Sequence, residues 1–376
     1  MKPIVIIGSG IAGYTLVKSI RMLNNKKPIV LITKDKGDYY SKPMLSNAFN
    51  KNQPLDDLVL MSGQEMAKNY LLELRHNCVV ETVDTNKKFV NTNQGAIEYE
   101  KLVLACGALP RKSPLLPNAP NILSINHLDD YRLFRMELTN KKRIVILGSG
   151  LIGCEFANDL ASAGFYVTIV SIDKYPLQTF LPEDIGLELK RQLSLLGINW
   201  CLATQMVSIN SEQEVFKINL NNGKILMAEL ILSAIGLEPN ICLAKKSGIL
   251  TNKGIITDDY LKTSHSSVYA LGDCAEINGR LWPFISPIRQ CSPILAKTLL
   301  GKPTRVSLSN LMVTVKTPIY PISFCGNLDN QLYQPQSELT GEGIKVTYLS
   351  LEKKLKGFIL TNKEVLKSSN LLKQMA

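Results

Sequence analysis

IVIIGSGIAGYTLVKSI, residues 4–20, is the stretch of sequence that decides the fold of this chain. A β-branched run breaks into spaced glycines and then resumes with helical spacing, which predicts a strand, a tight turn and a helix. The same pattern returns as RIVILGSGLIGCEFANDL at residues 143–160. The glycines of the two GxGxxG motifs are Gly8, Gly10, Gly13, Gly148, Gly150 and Gly153. The offset of 140 residues between the copies has the size of a domain.

The spacing of these glycines has a physical purpose. The first makes the tight turn, the second lets the backbone approach a pyrophosphate, and the third lets the helix pack on the strand. A phosphate then lies at the helix N-terminus, where free amide hydrogens and the helix macrodipole favour an anion. One copy can be only a packing turn. Two copies in the same context predict two dinucleotide sites in one chain.

The acidic residue that usually binds the adenosine ribose is less clear in both copies. Asp35 lies two residues beyond the strand that ends at Thr33, and Asp173 lies two residues beyond Ser171. Both can reach a ribose hydroxyl, and both can equally be turn formers. No arginine follows the second strand to bind the 2′-phosphate of NADPH, and Lys174 could bind it only as a point charge. The sequence therefore favours NADH without excluding NADPH.

The composition excludes several classes of protein. With 45% hydrophobic and 20% charged residues, the 376-residue chain can bury ordinary cores, which excludes disorder. No apolar run reaches the roughly 18 residues of a membrane helix. The eight cysteines contain no CxxC pair, and the three histidines stand far apart. We therefore expect buried free thiols, no metal site and a cytoplasmic location, with the apolar N-terminus forming a strand rather than a signal peptide.

Three further segments make the pattern specific: LVLACGALP at 102–110, LILSAIGLEPN at 230–240 and SVYALGDCAE at 267–276. Together with the two glycine motifs, in this order, they resemble the FAD-dependent pyridine nucleotide-disulfide oxidoreductase superfamily. The resemblance implies an α/β fold with two Rossmann-like dinucleotide-binding domains, the NAD domain inserted in the FAD domain, plus a small α+β C-terminal domain. The expected boundaries are 1–112 and 246–314 for the FAD domain, 113–245 for the NAD(P)H domain and 315–376 for the C-terminal domain.

The resemblance also assigns residues to cofactors. It implies FAD at the first glycine motif, NAD(P)H at the second, and hydrogen bonds from the flavin ribityl hydroxyls to Asp273, which is otherwise a helix cap. Besides the six motif glycines, Asp35 and Asp173, the expected cofactor contacts are Ala12, Lys42, Pro43, Val80, Ala105, Gly107, Glu155, Gly236, Gly272, Asp273, Pro287, Ile288 and Lys316.

Segments outside the nucleotide motifs narrow the family. YYSKPMLSNAF at 39–49, ILSINHLDDYRLFR at 122–135 and VTVKTPIYP at 313–321 resemble the rubredoxin-NAD(+) reductases and flavorubredoxin reductases. The ferredoxin reductases of oxygenase systems usually carry arginine and lysine where Lys42 and Asn47 stand. The redox cysteine pair of other members is missing, which disfavours a thiol mechanism.

Lys42 and Glu155 are the catalytic residues that this resemblance implies. A lysine beside the flavin would stabilise the negative charge that builds as hydride arrives, and Glu155 would face the nicotinamide. We hypothesise that the two side chains pair, although two surface charges are the alternative. Lys316 either flanks the flavin or is a lysine at a strand edge.

The expected function is transfer of hydride from NADH to FAD and of single electrons to rubredoxin or a rubredoxin-like carrier. Such carriers are usually acidic, and the net charge of +11, with nine basic and four acidic residues in 1–60, suits an acidic partner. The alternatives are a type II NADH:quinone dehydrogenase and a ferredoxin reductase of an oxygenase system. We expect no nucleic acid partner, because no basic stripe carries interleaved aromatics, and no stable membrane association.

Overall fold

The computed structural model describes residues 1–212 and 215–375, which form two compact units. The first unit contains Met1–Ser41, Asp56–Leu109 and Glu238–Ser309, and the second contains Lys42–Leu55, Pro110–Leu237 and Asn310–Ala376. Residues 42–55 therefore belong to the second unit, although their neighbours on both sides in the chain belong to the first.

A five-stranded parallel sheet forms the centre of the first unit. Its strands, in spatial order, are Val268–Ala270, Lys101–Leu104, Ile4–Ile7, Ile29–Ile32 and Glu73–Arg75. The strand of the first glycine motif is central and fully buried, as a β-branched run in a parallel sheet requires. Helices Ile11–Leu23 and Ile285–Leu299 pack against each other beside this sheet.

The remaining elements of the first unit are short. Its other helices are Gly63–Asn69 and Cys242–Lys246, with a 3₁₀ turn at Asp56–Leu58. One small sheet pairs Tyr39–Tyr40 with Val59–Met61. A second contains Val80–Asp84, Phe89–Thr92 and Gly95–Glu98. A third contains Ile255–Thr257, Ala275–Ile277 and Arg280–Leu281.

A second five-stranded parallel sheet repeats this arrangement in the second unit. Its order is Ile122–Leu123, Leu230–Ser233, Arg143–Leu147, Tyr166–Val170 and Asn199–Cys201. The strand of the second glycine motif is again central, and helix Leu151–Ser162 follows it. The repeat predicted from the sequence therefore extends from the glycine turns to the strand order of each sheet.

The second unit also contains two antiparallel sheets. One comprises Met206–Glu212, Val215–Leu220 and Ile225–Ala228. The other, near the C-terminus, has the order Val313–Val315, Ile322–Gly326, Leu355–Thr361, Gly343–Leu349 and Gln334–Thr340. The helices are Leu128–Glu137, Glu183–Ser194 and Ser368–Gln374, with 3₁₀ segments Lys42–Asn47 and Asn362–Lys367. Short strands Ala108–Pro110 and Leu237–Pro239 lie at the unit boundaries.

The structure confirms the α/β fold class. Among the residues that it describes, no helix combines the length and the apolar character needed to cross a bilayer.

Candidate functional site

The first glycine turn has the geometry of a phosphate cradle. Gly8 has a φ of +117°, and a Cβ there would lie 2.2 Å from the carbonyl oxygen of Ala105, so only glycine fits. A Cβ on Gly13 would lie 1.9 Å from the Gly8 carbonyl oxygen. Because glycine has no Cβ, the helix can pack closely on the strand. A Cβ on Gly10 would meet nothing within 4 Å, and no side chain caps this helix start. Open space therefore faces the first amides of the helix, which fits a dinucleotide phosphate.

The second glycine turn reproduces the first. Gly148 has a φ of +105°, and a Cβ there would lie 2.5 Å from the carbonyl oxygen of Ala234. A Cβ on Gly153 would lie 2.1 Å from the Gly148 carbonyl oxygen, whereas one on Gly150 would meet nothing within 4 Å. Gly150 also begins its helix without a side-chain cap. The chain thus carries a matched pair of cradles.

The carboxylate after the second strand of the first unit is fixed by its own loop. Asp35 Oδ1 accepts hydrogen bonds from Thr33 Oγ1 at 2.7 Å, from the Gly37 amide at 2.9 Å and from Ser9 Oγ at 3.3 Å. The Ser9 and Thr33 hydroxyls lie 2.8 Å apart. The bond from Gly37 supports the interpretation of Asp35 as a turn former, and a role at the ribose stays a prediction.

The second unit builds the same network. Asp173 Oδ2 accepts from Ser171 Oγ at 2.9 Å and from Ser149 Oγ at 3.0 Å, and the Ser149 and Ser171 hydroxyl oxygens lie 2.9 Å apart. The serine inside each GSG turn therefore links the glycine motif to the acidic residue. Sequence reasoning missed these hydroxyls, although the serine repeats in both copies of the motif.

The late glycine-aspartate segment lies against the first glycine motif. Gly272 has a φ of +83°, and a Cβ there would lie 2.8 Å from the Cβ of Ala12 and 3.8 Å from the side chain of Ile288. Asp273 follows directly, and Pro287 is buried in the helix that carries Ile288. The structure therefore brings together segments more than 250 residues apart that the resemblance assigns to one cofactor.

Three other predicted contacts lie at turns or on a strand. Gly107 and Gly236 both have positive φ, 65° and 110°, as glycine at strand ends allows. A Cβ on Gly236 would come within 3.7 Å of the Arg111 side chain. Val80 begins strand Val80–Asp84 and is half-buried.

Glu155 is the centre of a polar cluster in the second unit. This residue is only 6% exposed and lies on the helix that follows the second glycine turn. Its carboxylate accepts from Ser46 Oγ at 2.5 Å and from the Lys316 amide at 3.0 Å, with Lys316 Nζ at 3.6 Å. Lys316 Nζ also donates to the Pro43 carbonyl oxygen. Burial lowers the pKa of Lys316, and the Glu155 carboxylate opposes that shift.

Lys42 lies at the start of the 3₁₀ segment Lys42–Asn47 and donates from Nζ to Asn126 Oδ1. Lys316 is a cation that the structure records beside Glu155. The hypothesised pair of Lys42 and Glu155 stays a prediction, as do the catalytic roles of both side chains.

Two buried residues of the same helix were missed. Asn158 and Asp159 are 1% and 3% exposed. Polar residues within the otherwise apolar stretch GCEFANDL were the signal that could have found them.

The thiols show no redox pairing. In the described chain each of the eight cysteines is a free thiol. Burial raises the pKa of Cys106, and it raises the pKa of Cys274 to about 11, so both remain protonated at neutral pH.

Comparison with known families agrees with this geometry. The family described as "Pyridine nucleotide-disulphide oxidoreductase" matches residues 2–296. The chain belongs to this family. A second family, described as "Rubredoxin binding C-terminal domain", matches residues 305–375.

Curated relatives cover the whole chain. A rubredoxin-NAD(+) reductase of Alcanivorax borkumensis is 38% identical over 100% of this chain and 99% of its own length. A nitric oxide reductase FlRd-NAD(+) reductase of Aliivibrio fischeri is 36% identical over 99% of this chain and 98% of its own. The resemblance drawn from residues 39–49, 122–135 and 313–321 is therefore confirmed.

Solved structures share the fold. The ferredoxin reductase for the CYP199A2 system of Rhodopseudomonas palustris superposes with a TM-score of 0.89 at 24% identity, covering 98% of this chain and 93% of that one. Putidaredoxin reductase in its covalent complex with putidaredoxin gives 0.89 at 21% identity, covering 100% and 93%. Family membership implies FAD and NAD(P)H as cofactors, and the two matched cradles fit two dinucleotides.

Proposed function

We propose that this pyridine nucleotide-disulphide oxidoreductase is a rubredoxin-NAD(+) reductase, which passes electrons from NADH through FAD to rubredoxin or a rubredoxin-like domain. FAD supplies the chemistry, because it accepts a hydride and gives up electrons one at a time. The observation that carries the proposal is the rubredoxin-binding family match at residues 305–375, directly after a complete pair of nucleotide-binding units.

The residues of the chain have separate tasks in this function. The Gly10 and Gly150 turns bind the two pyrophosphates through backbone amides. We place Lys42, Glu155 and Lys316 at the reacting rings, where the lysines stabilise negative charge as hydride arrives. We assign Asp273 to the flavin ribityl hydroxyls, and retain the division into 1–112 with 246–314, 113–245 and 315–376 as part of this proposal.

NADH is the proposed reductant rather than NADPH. Asp173 is held by the hydroxyls of Ser149 and Ser171, so its charge stays at the end of the second strand. The Asp173 carboxylate would repel the 2′-phosphate of NADPH. The same carboxylate would accept a hydrogen bond from the 2′-hydroxyl of NADH. We expect kcat/KM for NADH to exceed that for NADPH by about tenfold or more. Because NADH is an intracellular metabolite, we also propose a cytoplasmic location.

The test is stopped-flow reduction of the FAD-loaded protein by NADH, followed by mixing with rubredoxin, ferredoxin or a soluble quinone. Fast reoxidation by rubredoxin is the expected result. Reoxidation by quinone alone would overturn the acceptor and favour the type II dehydrogenase. Reoxidation by ferredoxin alone would favour a reductase of an oxygenase system.

A further inference from the structure

One face of helix Leu151–Ser162 holds two segments that lie far away in the sequence. Asp159 accepts the Phe49 amide on Oδ2 at 2.9 Å and the Asn50 amide on Oδ1 at 3.0 Å. Asn158 Oδ1 accepts the Ile319 amide at 3.3 Å. Each buried side chain therefore binds the backbone of another segment.

Glu155 extends the same face by one helical turn. Its carboxylate binds the Ser46 hydroxyl and the Lys316 amide, so Glu155, Asn158 and Asp159 together form what we call the polar helix face. The face contacts residues 46–50 on one side and residues 316–319 on the other. Residues 46–50 overlap the end of the 3₁₀ segment Lys42–Asn47, which begins at Lys42, and residues 316–319 begin at Lys316.

The three residues of the polar helix face are not repeated in the first copy of the glycine motif. The positions 140 residues earlier are Thr15, Lys18 and Ser19, and the Ser19 hydroxyl bonds within its own helix to the Thr15 carbonyl oxygen. A nucleotide-binding helix therefore does not need these residues to bind a dinucleotide. Their presence in the second copy calls for another purpose.

Burying a carboxylate at this face is costly. Burial raises the pKa of Asp159, and the two backbone hydrogen bonds oppose that shift only in part. The folded protein binds this proton more tightly than the unfolded chain does. The stability of the native state therefore decreases as pH rises through the raised pKa and Asp159 becomes charged. A buried charge that costs stability but holds two amides suits positioning better than packing.

A ring contact strengthens the hold on the first segment. The guanidinium of Arg135 lies 4.7 Å from the centre of the Phe49 ring, and its Nη1 donates to the Gln53 carbonyl oxygen at 3.2 Å. Residues 46–53 are therefore fixed at several points within the second unit.

We propose that Asp159 is a positioning residue for hydride transfer, which acts by fixing the segment that carries Lys42. The inference rests on the proposed function, because it takes Lys42 to work beside the flavin. Asparagine at 159 keeps the size of the side chain but offers one acceptor atom instead of two, so one of the Phe49 and Asn50 amides loses its partner.

The experiment compares Asp159→Asn with wild type and with Asp129→Asn, a matched change at an exposed carboxylate of the same unit. We expect Asp159→Asn to lower the limiting rate of flavin reduction by about tenfold, while the NADH concentration for half-saturation changes less than about twofold. A second readout is the midpoint potential of the bound FAD, which should fall in Asp159→Asn because a cation near the flavin has moved. Asp129→Asn should leave both values unchanged.

Ser46→Ala provides an independent variant, since it removes the hydroxyl that joins the same segment to Glu155. We expect a decrease of the limiting rate in the same direction, with melting temperature and FAD content reported for every variant. If Asp159→Asn does not fold, Ser46→Ala decides alone. Variants that fold and keep the wild-type limiting rate and potential would overturn the inference. A wild-type protein that NADH does not reduce would instead overturn the proposed function.

Discussion

Replacing Glu155 with glutamine removes the charge at the centre of the polar cluster while keeping its shape. The wild-type carboxylate accepts from Ser46 Oγ at 2.5 Å and from the Lys316 amide at 3.0 Å, and Lys316 Nζ lies 3.6 Å away. The amide of glutamine retains one acceptor atom, so one of these interactions is lost. A hydrogen bond to a charged group contributes about 1.5–3 kcal/mol. If that energy acts in the transition state, the limiting rate of flavin reduction falls by about 10- to 150-fold.

The same substitution has an expected effect on the pH profile. Burial lowers the pKa of Lys316, and Glu155 opposes the shift, so removing the carboxylate lowers this pKa further. The protonated amine is the form that stabilises negative charge, and activity is therefore lost as pH rises through its pKa. We expect Glu155→Gln to lose activity at a lower pH than wild type.

Stopped-flow flavin reduction by saturating NADH at several pH values measures both effects. The matched control is Glu183→Gln, which changes an exposed carboxylate at the start of helix Glu183–Ser194. A Glu155→Gln rate within twofold of wild type, with the same pH midpoint, would refute the assignment of Glu155 to the reaction.

Three other predictions follow from the described residues. Gly150→Ala should fold and retain FAD, because the added methyl group meets no protein atom within 4 Å. The same methyl group should fill the space for the phosphate and raise KM for NADH about tenfold. An unchanged KM in a steady-state assay would contradict this prediction. Iodoacetamide at pH 8 should alkylate exposed Cys242 first, because burial holds the Cys274 pKa at about 11 and raises that of Cys106. Peptide mass spectrometry that finds Cys106 or Cys274 labelled first would count against the fold around them. Electron transfer to an acidic rubredoxin should slow by about tenfold between 50 and 300 mM salt because the net charge is +11, and a salt-independent second-order rate would remove the role assigned to the basic surface.

The glycine turns, the two parallel sheets and the family were determined by the sequence alone. Gly8 and Gly148 both require positive φ, and their neighbouring strands are β-branched runs, so the signal is local and each motif can be recognised without its surroundings. The spacing of 140 residues then identified a repeat, and segments outside the motifs identified the rubredoxin branch. Each of these signals lies within a short stretch of sequence, although the sheets themselves join strands that are far apart, such as Ile4–Ile7 and Lys101–Leu104.

The arrangement of the polar cluster was decided only by the tertiary structure. Glu155 and Lys316 are 161 residues apart, and Ser46 and Glu155 are 109 apart. The sequence suggested Lys42 as the partner of Glu155, and that pair stays a prediction; the contacts of Lys316 with this carboxylate and of Asn126 with Lys42 could not be read from the sequence. Periodicity reports which face of an element is buried, but it carries no information on which distant segment covers that face. The partners of buried polar side chains such as Asp159 therefore emerge only when the chain has folded around them.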